Sequence, residues 1–456
     1  MGISQNDLPS PPVAGHCRAR AVSVDTRLPE ETGVVIVGAG IAGICTALYL
    51  ARRGVDCVVL EKGQVAGEQS SRAFGWLCSL GLDPLKMELT TLSKRLWREL
   101  AEELGPGRLG YERCGLLHLC ESEADIAREQ AWLDSVQGFD DVDARLLSNA
   151  ELAEHLPGCR RPYAGALFQP SDARVEPSLA TSALADAARA AGARIFAPCA
   201  VRGIERSAGR VEAVLTERGR IRCSQVVVAG GAWSRLFCGN AGVALPQLSI
   251  HSSLVRVAPL AGGPASCAAA DGYAFRRDAE GGYVFGPSSG HTAYVTLDSF
   301  RLFFDFLPAL RNQWRQMRVR LGRESFADLC LPRRWALDEV SPFERRRMLD
   351  PKPDVALNLK TLANMAEAFP AFRQARVTEH WAGMIDATPD SVPVIGAVDA
   401  LPGLFLCTGF SAYGLSMGPA AGWLLADMLC ARPPSCAPEA YRFSRFSDGS
   451  RLRVAP

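Results

Sequence analysis

Residues 34 to 62, VVIVGAGIAGICTALYLARRGVDCVVLEK, leave the chain little choice of local fold. Val34 to Val37 is a β-branched run of the kind that forms a strand buried on both faces. Gly38, Gly40 and Gly43 follow in G-x-G-x-x-G spacing, Ile41 to Arg53 has helical apolar periodicity, Gly54 ends it, and Cys57 to Leu60 reads as a second strand. Such a βαβ unit needs Gly38 for a tight turn, Gly40 for close backbone approach and Gly43 for contact between helix and strand. The helix start at Ile41 and Ala42, with the Ala39 backbone before it, then offers N–H groups and a positive dipole end to a pyrophosphate. Glu61, 18 residues past Gly43, suits a hydrogen bond to an adenosine ribose and repels a 2′-phosphate, and Lys62 adjoins it. In a chain with 42 glycines the three-glycine spacing is weak by itself; strand, helix and acid in step make it a dinucleotide site.

At 456 residues the chain exceeds one ordinary hydrophobic core, so two domains or one elaborated domain are expected. Its 50 basic and 49 acidic residues are spread without long runs, which excludes the concentrated basic face of a nucleic-acid binder. The 15 cysteines stand singly with no Cys-x-x-Cys pair, and the six histidines never pair at i, i+4, so neither a disulfide framework nor a metal site is expected. Reduced thiols in a cytoplasmic protein are the reading of that pattern. Residues 1–32 have mixed charge and prolines without an apolar stretch and read as a flexible lead-in. No apolar run reaches the roughly 18 residues of a membrane span.

Three further segments choose among dinucleotides. AGEQSSRAFGW (66–76) follows the second strand, a place where a hydroxyl- and glycine-rich loop meets pyrophosphate and flavin; QVVVAGGAWSRL (225–236) is a strand ending in glycines; WAGMIDATPDSVPVIG (381–396) precedes GFSAYGLSMGP (409–419). Together these resemble the D-amino-acid-oxidase superfamily of FAD-dependent oxidoreductases, which includes glycine oxidase, sarcosine oxidase and D-amino-acid dehydrogenase. The resemblance implies an α/β fold: a Rossmann-type FAD-binding domain, interleaved with an α+β substrate domain on an antiparallel-rich sheet. The expected FAD domain takes residues 33–82, 150–238 and 380–432, the substrate domain 83–149 and 239–379, with a tail at 433–456. It also assigns to the cofactor Gln69, Ser70, Ser71, Arg72, Gly75 and Trp76 of the first loop, Ala200 and Val201, and Gly230, Gly231 and Trp233. Gly383 and Asp390 follow, and then Gly414, Leu415, Ser416 and Met417, where a helix start faces the flavin C2 carbonyl. Independent of the resemblance, SLATSALADAARAA (178–191) reads as an amphipathic helix, and 251–257, 273–276 and 282–286 alternate like half-buried strands.

The resemblance implies oxidation of a C–N bond in a small-molecule amine or amino acid, with hydride passing to flavin N5, the resulting imine hydrolysing, and electrons leaving to O2 or another acceptor. The positively charged clamps of relatives are missing: Ile385 and Ser416 stand where glycine-oxidase-like and sarcosine-oxidase-like proteins carry Arg and Lys. Either the substrate lacks an α-carboxylate, its cation near Asp386, or another arginine such as Arg72, Arg276 or Arg277 holds the carboxylate. Tyr413, where a similar bacterial branch has histidine after glycine, is read as a substrate contact at the flavin edge. Flavin attachment is expected to be noncovalent, because Gly383 replaces the cysteine of covalent relatives and residues 63–82 contain no histidine. SFRLFFDFLPALRNQWRQMRVRLG (299–322) reads as a lid or substrate-domain helix interrupted at Pro308, with a membrane-surface role as the alternative. A noncatalytic flavoprotein of the same fold is the alternative for the whole chain.

Overall fold

Each four-residue strand of the βαβ unit alternates its side chains between two layers, and the two cores differ accordingly. Val34, Ile36, Cys57 and Val59 join one core with the helix Ile41–Arg52, whereas Val35, Val58 and Leu60 join another with Phe196, Val226 and Val228. The computed structural model describes residues 18–314 and 317–452. Six strands make the first sheet, in the order Val394–Ala397, Leu404–Thr408, Gln225–Val228, Val34–Val37, Cys57–Leu60 and Arg194–Phe196. All neighbours pair in parallel except the first two. Both faces are covered, which is why these strands are continuously apolar rather than alternating with polar residues.

Helix Ile41–Arg52 packs against Pro177–Ala190 and against the last long helix, Gly414–Leu429. The second contact depends on missing side chains: a Cβ on Gly422 would lie 2.5 Å from the Cys45 carbonyl carbon, and one on Gly418 2.5 Å from Ile41 Cγ1. Two helix N-termini, at residues 41 and 414, are thereby brought to one side of the sheet.

A ten-stranded, mostly antiparallel sheet forms the second layer system. Its spine is Leu248–Val257, paired from Leu248↔Ala387 to Val257↔Val377 with Val377–Ala387. Gly165–Gln169 belongs to this sheet, between Leu116–Cys120 and Arg145–Ser148, although the sequence-based boundary at 150 puts it with the nucleotide domain. Chain order gave no sign of that return, because the pairing partners lie on the other side of the boundary.

Two other expectations change, and the tail gains an anchor. Residues 18–32, read as part of a flexible lead-in, are seated: Arg18 pairs with Glu379 at 2.9 Å and lies 3.7 Å over the Trp381 ring, and Asp25 caps the Ile195 N–H at 2.8 Å. Residues 1–17 and 453–456 lie outside the described residues. Pro308 does not interrupt its helix, which runs Phe303–Gln313. The carbonyl it strands is that of Phe304, whose side chain is 84% exposed, so water can take the lost bond. Finally, the tail is fixed by a buried ion pair, Arg445 to Asp390 at 2.8 Å.

Replacing Gly422 with alanine should destabilise the protein by about 2 kcal/mol or more, since the added methyl meets backbone that cannot step aside. Urea denaturation checks this; a neutral result would show that the two helices can move apart at little cost.

Candidate active site

The phosphate turn is built by exclusion of side chains. Gly38 sits at φ +107°, and a Cβ there would lie 2.5 Å from the Ala229 carbonyl oxygen; one on Gly43 would lie 2.0 Å from the Gly38 carbonyl oxygen. The helix can therefore rest directly on the turn, with its first turn facing the space beyond. Its N-cap, Gly40, supplies no side chain, and Ser70 Oγ accepts from the Ile41 N–H at 2.9 Å. Glu61 accepts from the Ala39 N–H (2.9 Å) and the Gly63 N–H (2.8 Å). Burial pushes its carboxyl pKa up, while Lys62 and those two N–H groups oppose the shift. A carboxylate has about four acceptor directions, so capacity remains for a ribose hydroxyl.

Along this turn runs a cavity of about 510 Å³. Gly38, Gly40, Ile41, Ala42, Glu61 and Lys62 line one end, and Gln69, Ser70, Arg72, Gly75 and Trp76 continue the wall. Val201, Gly230, Gly231 and Trp233 close one side; Gly383, Asp386, Tyr413, Gly414, Leu415 and Ser416 close another. Ala39 and Gly43 support the turn from behind, and Ser71, Ala200 and Met417 are buried without lining the cavity. The Met417 N–H is already bonded to the Tyr413 carbonyl at 3.0 Å, so the donors left by that helix start are those of Gly414, Leu415 and Ser416.

Asp386 is not free to meet a substrate cation. Its carboxylate accepts from Gly409 N–H (2.7 Å), Gln69 Nε2 (2.8 Å), Thr408 Oγ1 (3.2 Å) and Gln247 Nε2 (3.3 Å). Burial raises its pKa, and the Gly409 and Gln69 bonds oppose this. The residue is a latch: it ties the strand Val377–Ala387 to the loop 409–412, where Ser411 (φ +49°) and Ala412 (φ +78°) hold left-handed backbone that only glycine adopts easily. That loop delivers Tyr413 to the helix start and cavity edge, with Lys86 Nζ 5.3 Å from its ring centre. Burial pushes the Tyr413 phenol pKa up, so it is a neutral donor at pH 7.

The arginines named as clamps are engaged elsewhere. Arg276 points inward and Arg277 outward, but Arg276 meets Glu176 (2.7 Å) and the Phe74 carbonyl, and neither arginine lines the cavity. Arg72 does line it; its Nη1 pairs with Asp350 at 2.6 Å, while its buried Nη2 has no partner. Asp390, read as a cofactor residue, is occupied by Arg445 and lies outside the lining.

Several lining residues escaped the sequence reading. Phe343, Arg347 and Met348 come from segment 341–351, which folds back so tightly that a Cβ on Gly63 would lie 2.4 Å from the Arg347 carbonyl oxygen. Ser252, Leu254, Ala274 and His291 come from the ten-stranded sheet, and Ser288 from the loop before His291. A single His291 gives no spacing signal; only the fold places it here.

A βαβ phosphate turn, a ribose acid and a second helix N-terminus on one cavity define a dinucleotide-binding oxidoreductase fold. The family profile described as DAO, FAD dependent oxidoreductase, matches residues 33–428, and the chain belongs to that family. It is similar to glycine oxidase of Pseudomonas aeruginosa, 26% identical over 90% of this chain and 97% of that protein. It is also similar to the sarcosine oxidase beta subunit of Rhizobium meliloti, 27% identical over 91% of this chain and 88% of that one. Among solved structures, L-amino acid deaminase from Proteus myxofaciens in complex with anthranilate superposes with a TM-score of 0.91 at 36% identity, covering 96% of this chain and 98% of that one. FAD is the cofactor of this family, and the cradle fits it: glycines where a Cβ would collide, Glu61 with spare acceptor capacity, and two helix starts facing the same space.

Asp386→Ala should lower stability by about 3 kcal/mol, because it strands the buried Gly409 N–H and removes the acceptor of Gln69 Nε2. It should also weaken FAD retention by freeing the 409–412 loop. Chemical denaturation and flavin dialysis check both, and retention of full stability would show that the latch is dispensable.

Proposed function

We propose that this FAD-dependent oxidoreductase oxidises the C–N bond of a small amine whose polar substituent is held by neutral donors rather than by a guanidinium clamp. The observation that carries the reading is a pair of orphan ring nitrogens. Trp76 Nε1 and His291 Nδ1 are buried, line the cavity and have no hydrogen-bond partner. An unsatisfied buried donor costs about 1–3 kcal/mol, which a ligand oxygen placed there would recover. By contrast, the cations that line the described cavity already have carboxylates: Lys62 has Glu68, Arg72 has Asp350 and Arg347 has Glu217.

FAD, when bound, supplies the two-electron acceptor. The chain's own groups bind and orient: Trp76 and Tyr413 form an aromatic wall, and Leu254, Met384 and Ile385 exclude water from the amine. No protein base is required if the amine enters neutral, which suits a wall without a free carboxylate. O2 or another compound takes the electrons onward, and the free state of the described cysteines supports a cytoplasmic setting. A second reading has its own observation. The partnerless Arg72 Nη2 favours an amino acid whose carboxylate shares that guanidinium with Asp350.

Anaerobic bleaching of the flavin by a panel of amines and D- and L-amino acids separates these. Bleaching by amines without a carboxylate, slowed at least tenfold in His291→Ala, supports the first reading. Bleaching by amino acids alone, abolished in Arg72→Lys, establishes the second. No bleaching by any compound would favour a noncatalytic flavoprotein.

His291 also carries a pH prediction. Burial, then the neighbouring His251, lowers its pKa below the usual 6.5. Above that value it is neutral in both folded and unfolded chains. Below it the unfolded chain takes up the proton first, so stability falls as pH drops from 6.5 toward the folded pKa. His291→Gln should flatten that part of a melting-temperature profile between pH 7 and 5.

A further inference from the structure

Cys114 and Cys267 lie 153 positions apart in sequence, yet their sulfurs are 3.3 Å apart. Cys114 is half-buried in the loop that enters the strand Leu116–Cys120, and Cys267, 1% exposed, begins the neighbouring strand Cys267–Ala270. The backbone fixes the approach from both sides. Cys267 N–H donates to the Gly115 carbonyl at 3.2 Å, and Gly115 N–H donates to the Asp172 carbonyl at 2.9 Å. Gly115 is at φ +70°, against Phe168, with no room for a side chain, so the residue after Cys114 has one available course.

A buried guanidinium adjoins the pair. Arg174 is 5% exposed; its two Nη groups pair with Glu112 and Glu176, but its Nε has no partner. Its charge favours the thiolate at both sulfurs, and the hydrogen bond from Cys267 brings the Cys114 thiol below its ordinary pKa while burial drives that of Cys267 up. The two thiols are thus unequal: one half-exposed and more acidic, one enclosed and held as thiol. The same apolar cluster contains Cys78, Trp76 and Tyr413, which form the cavity wall.

We infer that Cys114 and Cys267 form a peroxide-responsive dithiol that closes into a reversible disulfide beside the cavity wall. The Cys114 thiolate attacks hydrogen peroxide; its S–O bond forms, the O–O bond breaks and hydroxide leaves, giving a sulfenic acid. The Cys267 sulfur then attacks Cys114 Sγ, the S–S bond forms, the S–O bond breaks and water leaves. Two electrons pass from the two sulfurs to the peroxide, which ends as two waters. Closure from 3.3 Å to a bond of about 2.05 Å requires only a small shift of the half-exposed loop. This inference is independent of the identity of the amine.

The test is intact-mass and peptide analysis of the full-length holoprotein after stoichiometric hydrogen peroxide. The expected result is loss of two hydrogens, a crosslinked peptide pair containing residues 114 and 267, and restoration by dithiothreitol. Cys267→Ser should leave a sulfenic acid at Cys114 that dimedone traps, and Cys114→Ser should abolish both products. The variants also distinguish chemistry from folding, because each must retain the wild-type flavin spectrum before treatment. A wild-type protein in which Cys114 is oxidised while Cys267 stays alkylatable, or in which other cysteines pair instead, overturns the inference.

Discussion

The direct seating of one helix on a glycine turn governs the rest of the molecule. With no Cβ at Gly43, helix Ile41–Arg52 reaches the Gly38 carbonyl; with none at Gly418 or Gly422, the final helix reaches the first. Three layers then stack more closely than ordinary side chains permit, and the starts of two helices converge on one cavity. Partial positive charge at both places is a consequence of packing, not of charged side chains. That suits an electron-accepting cofactor with phosphates at one end and a ring that gains charge at the other. It also explains why the lining cations can be neutralised by carboxylates without losing the site's polarity.

Those neutralised cations shape the substrate end. Breaking a buried ion pair leaves the other charge uncompensated, at a cost of about 3–5 kcal/mol. Arg72 Nη1 is therefore committed to Asp350 in the lining, and outside it Arg276 to Glu176 and Asp390 to Arg445, as architecture. A substrate carboxylate would have to compete with a carboxylate already in place. Neutral groups such as Trp76 Nε1 and His291 Nδ1 face no such competitor, because neither has a hydrogen-bond partner in the described protein.

What the sequence made legible follows from the range of the interactions involved. The βαβ turn is local: glycine spacing, strand run and acid all fall within thirty residues or so, and each can be read without knowing the rest of the fold. Alternation along a strand implies that one of Arg276 and Arg277 faces inward, but not which one. Which group the inward arginine meets was not legible either, because Glu176 lies 100 positions away. His291, Arg347 and Phe343 share that difficulty: their roles come from sheet register and from a segment folding back over Gly63. Asp386 misled for a different reason. A lone acid beside missing clamps looks like a cation site, but its four donors, drawn from three separated segments, already occupy it.

The same latch explains why a tyrosine stands in GFSAYGLSMGP. Left-handed backbone at Ser411 and Ala412 costs about 1 kcal/mol or more at each residue, and the chain does not place glycine at either. The strain persists because Asp386 holds the loop at two points, through its carboxylate to the Gly409 N–H and through its carbonyl to the Ser411 N–H at 3.0 Å. Tyr413 follows immediately as the N-cap of the final helix. Its place is thus fixed from the adjoining strand Val377–Ala387 as well as by the helix it begins. A side chain set in this way can serve as a fixed wall for a ligand. One placed only by a flexible helix start would yield to whatever entered.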